Sequence, residues 1–118
     1  MFDFEKLEVY QILKGLNVEV LKHLNTDTVM DPHLKAELKR ATVTAALELA
    51  DGTARMENSE KKDHYMTARS NVFQSVALLE MMKNLEMLPE ELYDEWYDRY
   101  TSVSKMLLKM YRNALAGV

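Results

Sequence analysis

From Leu34 onward, small or apolar residues recur at Leu34, Leu38, Ala41, Ala45, Leu49, Gly52 and Met56, in steps of 4, 3, 4, 4, 3 and 4. Such steps bring side chains onto one face of a 3.6-residue helix, whereas a half-buried strand needs alternation by two. The series passes straight through Asp51-Gly52, a dipeptide that in a hairpin would reverse the chain. A hairpin needs strand-like flanks, and neither "TAALELA" nor "TARMENS" supplies them. The helix is therefore expected to run through Gly52. Glycine there costs about 1 kcal/mol of helix propensity relative to alanine. Close approach of a neighbouring helix would offset that cost, and the nearby Ala45, Ala46, Ala50 and Ala54 are small enough to allow it. Ala41, Ala45, Leu49 and Gly52 are the expected helix-packing residues.

Three further segments show the same periodicity. The first runs from about Phe4 to His23, with Leu13, Leu16, Val20 and Leu24 on one face. Asp3 is its candidate cap, with Phe2 and Leu7 spaced as a hydrophobic staple, and Gly15 weakens it. "NTDTVMD" reads as a loop, after which Asp31-Pro32 opens the second helix. Asp accepts free backbone N–H groups, and Pro fits the first helical position, where no N–H is needed. Asn58-Ser59 is expected to end that helix and cap the third. There Tyr65, Ala68, Val72, Val76, Leu79 and Met82 face inward, and Met66, Phe73 and Ala77 widen the apolar face. "EMLPEE" is the next break, with Pro89 in the first turn of the fourth helix and Glu90, Glu91, Asp94 and Glu95 near its positive end. Tyr93, Trp96, Tyr100, Val103, Leu107, Met110 and Ala114 then follow as a coiled-coil-like seam, with Tyr97 off it. Lys105, Lys109 and Arg112 complement the negative end. Only 3 Gly and 2 Pro occur, too few for the turns of a β-sandwich. The prediction is a single all-α domain over residues 1–118, an antiparallel up-down-up-down four-helix bundle.

At 118 residues, 47% of them hydrophobic and 29% charged, the chain has the composition of a globular domain. It contains no Cys, which excludes disulfides and thiolate metal sites and fits a reducing cytoplasm. The opening "MFDFEKLEVY" carries acids rather than a basic segment followed by an apolar run. No apolar stretch approaches the roughly 20 residues that span a bilayer. No membrane partner and a cytoplasmic location are expected.

The chemistry-bearing patterns are sparse. A di-iron bundle needs Glu-x-x-His pairs, which set carboxylate and imidazole beside one metal. Here Glu19–His23 and Glu60–His64 are spaced by four, as ordinary neighbours on a helix face. No Gly-x-Ser-x-Gly elbow, His-Glu-x-x-His run or phosphate-cradling glycine loop is present. No enzyme, metal or cofactor is expected. Nucleic acid would have to be held by Arg40, Arg55, Lys61, Lys62 and Arg69, the candidate basic patch. Two facts oppose that reading. The net charge is −4, and Glu57, Glu60 and Asp63 dilute the region around the lysines. Asp51–Arg55 also reads as a simple i,i+4 pair. The 9 Met read as gap-fillers in the core. Helices two and three carry more apolar residues than one seam uses. Val43, Leu47, Ala50 and Ala54 form one extra stripe, and Met66, Phe73 and Ala77 another. Surplus stripes of this kind are expected to be buried against another subunit.

With "KRATVTAALELADGTAR" placed on the second helix, the chain resembles the small four-helix-bundle proteins encoded in intervening sequences of bacterial 23S ribosomal RNA genes. The opening "FEKLEVYQ" is similar to their Phe-x-x-Leu-x-Val-Trp-Gln start, with Tyr10 in place of Trp. The second-helix stretch aligns without gaps on Arg-Arg-Ala-x-x-Ser-Ile-Pro-Ala-Asn-Ile-Ala-Glu-Gly-x-x-Arg. Arg40, Ala41, Ala50, Gly52 and Arg55 are identical, and Thr44 and Asp51 are conservative replacements. "TARSN" resembles the family's Ala-Arg-Gly-Ser through Ala68 and Arg69. The chain departs from the pattern at Ala46, Glu48 and Gln74, where the family has Pro, Asn and Glu. The resemblance implies a four-helix bundle assembled as a ring-shaped homopentamer, with no catalytic activity. A related branch, accessory proteins of diversity-generating retroelements, binds a reverse transcriptase and nucleic acid and tends to be basic, as this chain is not.

Overall fold

Among the described residues the backbone forms a short 3-10 turn, Asp3–Lys6, and four α-helices: α1 (Glu8–Thr26), α2 (Pro32–Ala54), α3 (Asn58–Asn84) and α4 (Glu90–Ala116). The structure, a computed structural model, describes residues 1–26 and 31–117. Of the expected loop "NTDTVMD", Asn25 and Thr26 belong to α1 and Asp31 caps α2, while residues 27–30 lie outside the described residues. The helices form an antiparallel up-down-up-down bundle of 46 × 23 × 22 Å. In it α2 packs on α3, α3 on α4, and α1 closes the circuit against α4 and α2. The two seams made by α3 are the most extensive.

Each helix buries one face. Leu13, Leu16 and Val20 of α1, Leu38 and Leu49 of α2, Val72, Leu79 and Met82 of α3, and Trp96, Tyr100 and Leu107 of α4 are almost wholly removed from water. Each such aliphatic or aromatic side chain contributes about 1.5–3 kcal/mol on burial. The core also holds polar groups: the Trp96 indole N–H has no hydrogen-bond partner among the described residues, whereas Asn17, Thr42, Asn71 and Ser75 are paired. Tyr100 O–H donates to Asn17 Oδ1 at 3.0 Å, and Asn17 Nδ2–H donates to the Thr42 carbonyl at 2.6 Å. A buried amide whose partners lie on two other helices fixes the register of all three.

The helix does run through Asp51-Gly52, and α2 ends two residues later at Ala54. A Cβ placed on Gly52 would lie 2.7 Å from Tyr65 Cε1 and 3.0 Å from His64 Cβ. Glycine is what lets α3 lean on α2 at this height. Ala41, Ala45 and Leu49 are buried along the same face. Arg55 is already extended, so Met56 falls beyond the helix and is 89% exposed rather than on the inner stripe.

Asp31 caps α2 through its Oδ1, which accepts from the N–H groups of His33 (2.8 Å) and Leu34 (3.1 Å), with Pro32 following. Other boundaries differ from expectation by a few residues. The first helix starts at Glu8, not near Phe4, because Leu7 is extended (φ −85°, ψ 127°) and separates it from the 3-10 turn. Asp3 therefore does not cap α1. Phe4 instead packs edge-on against Tyr10 at 4.7 Å, and Gln11 Nε2–H donates to the Glu5 carbonyl at 2.9 Å. Glu57 takes the N-cap position of α3, and the Asn58 side chain reaches across to the Gly117 carbonyl instead of capping. Pro89 sits at the N-cap of α4, one residue before its first turn. The last turn of α4 passes beyond Arg112 and holds no base.

Candidate interaction surfaces

The five candidate cations do not converge. Arg40 bridges from α2 to α3, where its guanidinium donates to Gln74 Oε1 at 2.7 Å and Asn71 Oδ1 at 3.4 Å while pairing with Glu37 at 3.2 Å. Arg55 pairs with Asp51 at 3.0 Å, the i,i+4 contact. Lys61 Nζ donates to the carbonyls of Gly52 (3.3 Å) and Thr53 (3.2 Å), satisfying the open C-terminal end of α2. Lys62 pairs with Asp63 at 3.0 Å. Arg69 belongs to the other seam of α3. Its Nε–H donates to the Ser104 carbonyl of α4 at 3.2 Å, and its guanidinium lies 4.6 Å from the Phe73 ring centre.

His64 is the one imidazole held between carboxylates among the described residues. Its Nδ1–H donates to Glu48 Oε2 at 2.7 Å, and Asp51 Oδ2 lies 3.7 Å from the same nitrogen. The neighbour expected one turn away, Glu60, is not its partner; Glu48 and Asp51 come from α2. A carboxylate-oriented imidazole is half of an acid–base relay. No hydrogen bond ties His64 to a hydroxyl among the described residues, and no group of three or more His, Cys, Asp or Glu there could hold a metal ion. Glu19, likewise, pairs with Arg99 of α4 rather than with His23.

What remains is apolar surface. On α2, Val43 and Leu47 are 42% and 64% exposed. On the far seam, α3 and α4 enclose a groove of about 410 Å³ floored by Val72, Val76 and Tyr100. Its rims carry Phe73 and Tyr97, 54% and 46% exposed. Phe73 therefore widens nothing in the core; it stands at the surface. A hollow of about 780 Å³ lies over the α3–α4 turn, lined by His23, Lys83, Asn84, Met87 and Pro89. Periodicity signalled the stripes but not the groove, since a groove is made by two helices whose relative rotation no single-helix pattern states.

Residues 5–109 match the family described as 23S rRNA-intervening sequence protein. The chain belongs to that family. No curated protein and no solved structure is significantly similar to it. In this member of the 23S rRNA-intervening sequence proteins, three of the positions that depart from the resembled pattern, Ala46, Glu48 and Gln74, lie on α2 and α3. Glu48 holds His64, Gln74 receives Arg40, and Ala46 packs against the core. At Gln74 the Arg40 contact is thus made to a neutral amide oxygen rather than to a carboxylate. Among the described residues no helix is long and apolar enough to cross a membrane.

Proposed function

We propose that this 23S rRNA-intervening sequence protein is a non-enzymatic, cytoplasmic interaction protein that acts as a self-assembled ring, a homopentamer by family resemblance. The observation that carries the reading is the pair of exposed apolar surfaces: Leu47 with Val43 on α2, and Phe73 with Tyr97 on the α3–α4 seam. Large apolar side chains clustered outside a well-filled core mark a surface made to be covered. Nucleic acid is the weaker alternative. It would have to draw Arg40, Arg55, Lys62 and Arg69 away from acceptors they already hold, in a chain of net charge −4.

Light scattering of the purified protein tests this. The expected mass is several times 13.7 kDa at micromolar concentration and changes little with added salt, because apolar burial is not screened. A monomer of 13.7 kDa overturns the reading. Binding of structured RNA that weakens steeply with salt and is lost in Arg55→Ala would favour the alternative.

A further inference from the structure

We propose that the α3–α4 groove of one copy receives the outer stripe of α2 from a second copy, with the two helices antiparallel. This rests on the self-association above and assigns the faces that meet. Shape sets the pairing. The groove is concave, with Phe73 and Tyr97 as its rims, whereas Leu47, 64% exposed, is a knob on a single helix. A knob and a groove on different helices make a heterologous contact, which leaves one groove and one stripe free on every added subunit until a ring closes.

Charge sets the direction. Along α3 the order is Arg69, Phe73, Ala77, Glu80, in steps of 4, 4 and 3. Along α2 it is Lys39, Val43, Leu47, Asp51, in steps of 4, 4 and 4. Both helices read cation, apolar, apolar, acid, with roughly 16–18 Å between the charged ends at 1.5 Å per residue. Laid antiparallel, the apolar pairs coincide, Lys39 meets Glu80 and Asp51 meets Arg69. Laid parallel, like charges would oppose at both ends, which is costly at an interface. Two of the four groups are uncommitted: neither Lys39 nor Glu80 has an ion-pair partner among the described residues. The other two would share theirs: Arg69 gives its Nε–H to Ser104 and lies over the Phe73 ring, and Asp51, 46% exposed, pairs with Arg55 and lies 3.7 Å from His64.

Two surface variants test the assignment. Leu47→Asp keeps the groove and loses the knob; Phe73→Asp keeps the knob and loses the groove. Both side chains lie outside the core, so helical content by circular dichroism is expected to stay at the wild-type level, and Leu47→Ser with Phe73→Ser repeats the test if either aspartate variant fails to fold. In sedimentation each variant alone is expected as a monomer. Mixed one to one, they are expected to form a dimer of about twice the monomer mass and nothing larger, since only one intact groove and one intact knob remain. Charge reversal checks direction: Glu80→Lys weakens assembly at least 10-fold in dissociation constant, and Lys39→Glu in the same chain restores it. Single variants that keep the wild-type mass, a mixture that stays monomeric, or dissociation by only one variant overturns the face assignment while leaving self-association intact. No restoration by the double reversal overturns the antiparallel docking. A monomeric wild type instead overturns the self-association itself.

Discussion

Gly15 and Gly52 both sit inside helices, and their surroundings differ completely. A Cβ on Gly15 would meet nothing within 4 Å, whereas one on Gly52 would press into the Tyr65 ring at 2.7 Å. Neither has a positive φ, so alanine fits the backbone at both positions. Gly15→Ala is expected to stabilise the protein by about 0.5–1 kcal/mol, the helix-propensity difference. Gly52→Ala is expected to destabilise it by about 1–3 kcal/mol, because α3 must shift to admit the methyl group. Urea unfolding at one fixed protein concentration measures both; a gain at both sites would show that α3 does not crowd α2. The sequence already distinguished the two in part, since Gly52 lay on an apolar stripe among alanines. Partners along one helix were equally legible: Asp51–Arg55 is an i,i+4 pair in the chain and a 3.0 Å contact in the fold. Arg40–Gln74 and His64–Glu48 were not, because their members are 34 and 16 residues apart and periodicity says nothing of how two helices are rotated against each other.

Helix boundaries were readable where a residue type announces them. Asp31-Pro32 names its own cap, and the Asp31 carboxylate accepts both N–H groups the pattern calls for. The end of α3 shows the opposite case. "EMLPEE" marked a break, but no glycine or asparagine told where the chain enters the left-handed region. Glu86 does so, at φ 61°. Its N–H donates to the Lys83 carbonyl at 3.0 Å, and the Met87 N–H donates to the Met82 carbonyl at 2.8 Å. Those two bonds close the helix as a Schellman motif, whose left-handed position is most often glycine. A side chain in that conformation costs about 1–2 kcal/mol. Glu86→Gly is therefore expected to raise stability by about 1 kcal/mol, read as a higher urea midpoint with unchanged slope. An unchanged or lower midpoint would show that the glutamate side chain repays its backbone conformation. The N-terminal turn failed for a related reason. Phe2 and Leu7 are spaced as a hydrophobic staple, yet Phe4 packs edge-on against Tyr10 and Leu7 is extended.

Seam periodicity identified four helices and which residue lines face inward, but the polar thread through the middle of the bundle carried no such signal. Asn17 lies among the leucines of α1, and only in the fold does it join Tyr100 of α4 to the Thr42 carbonyl of α2. The thread makes stability depend on pH in one direction. Burial pushes the Tyr100 phenol far above its ordinary value, and burial also raises Tyr65 and Tyr93, the latter with Glu80, Tyr97 and Asp94 adding to it. An unfolded tyrosine loses its proton near pH 10, roughly the model-peptide value. Above that pH the folded state holds protons that the unfolded state has released, so the free energy of unfolding falls as pH rises. The contribution is complete below about pH 10 and drains away as pH climbs through the raised folded-state values. Tyr100→Phe separates the parts. At about neutral pH it should cost roughly 1–3 kcal/mol, because Asn17 Oδ1 loses its donor in the core. Between about pH 10 and 12 its stability should fall less steeply than that of the wild type, because one buried phenol no longer titrates. Urea midpoints across that range, at constant protein concentration, decide it. Parallel curves for the two proteins would mean that Tyr100 is not the group whose ionisation opens the bundle.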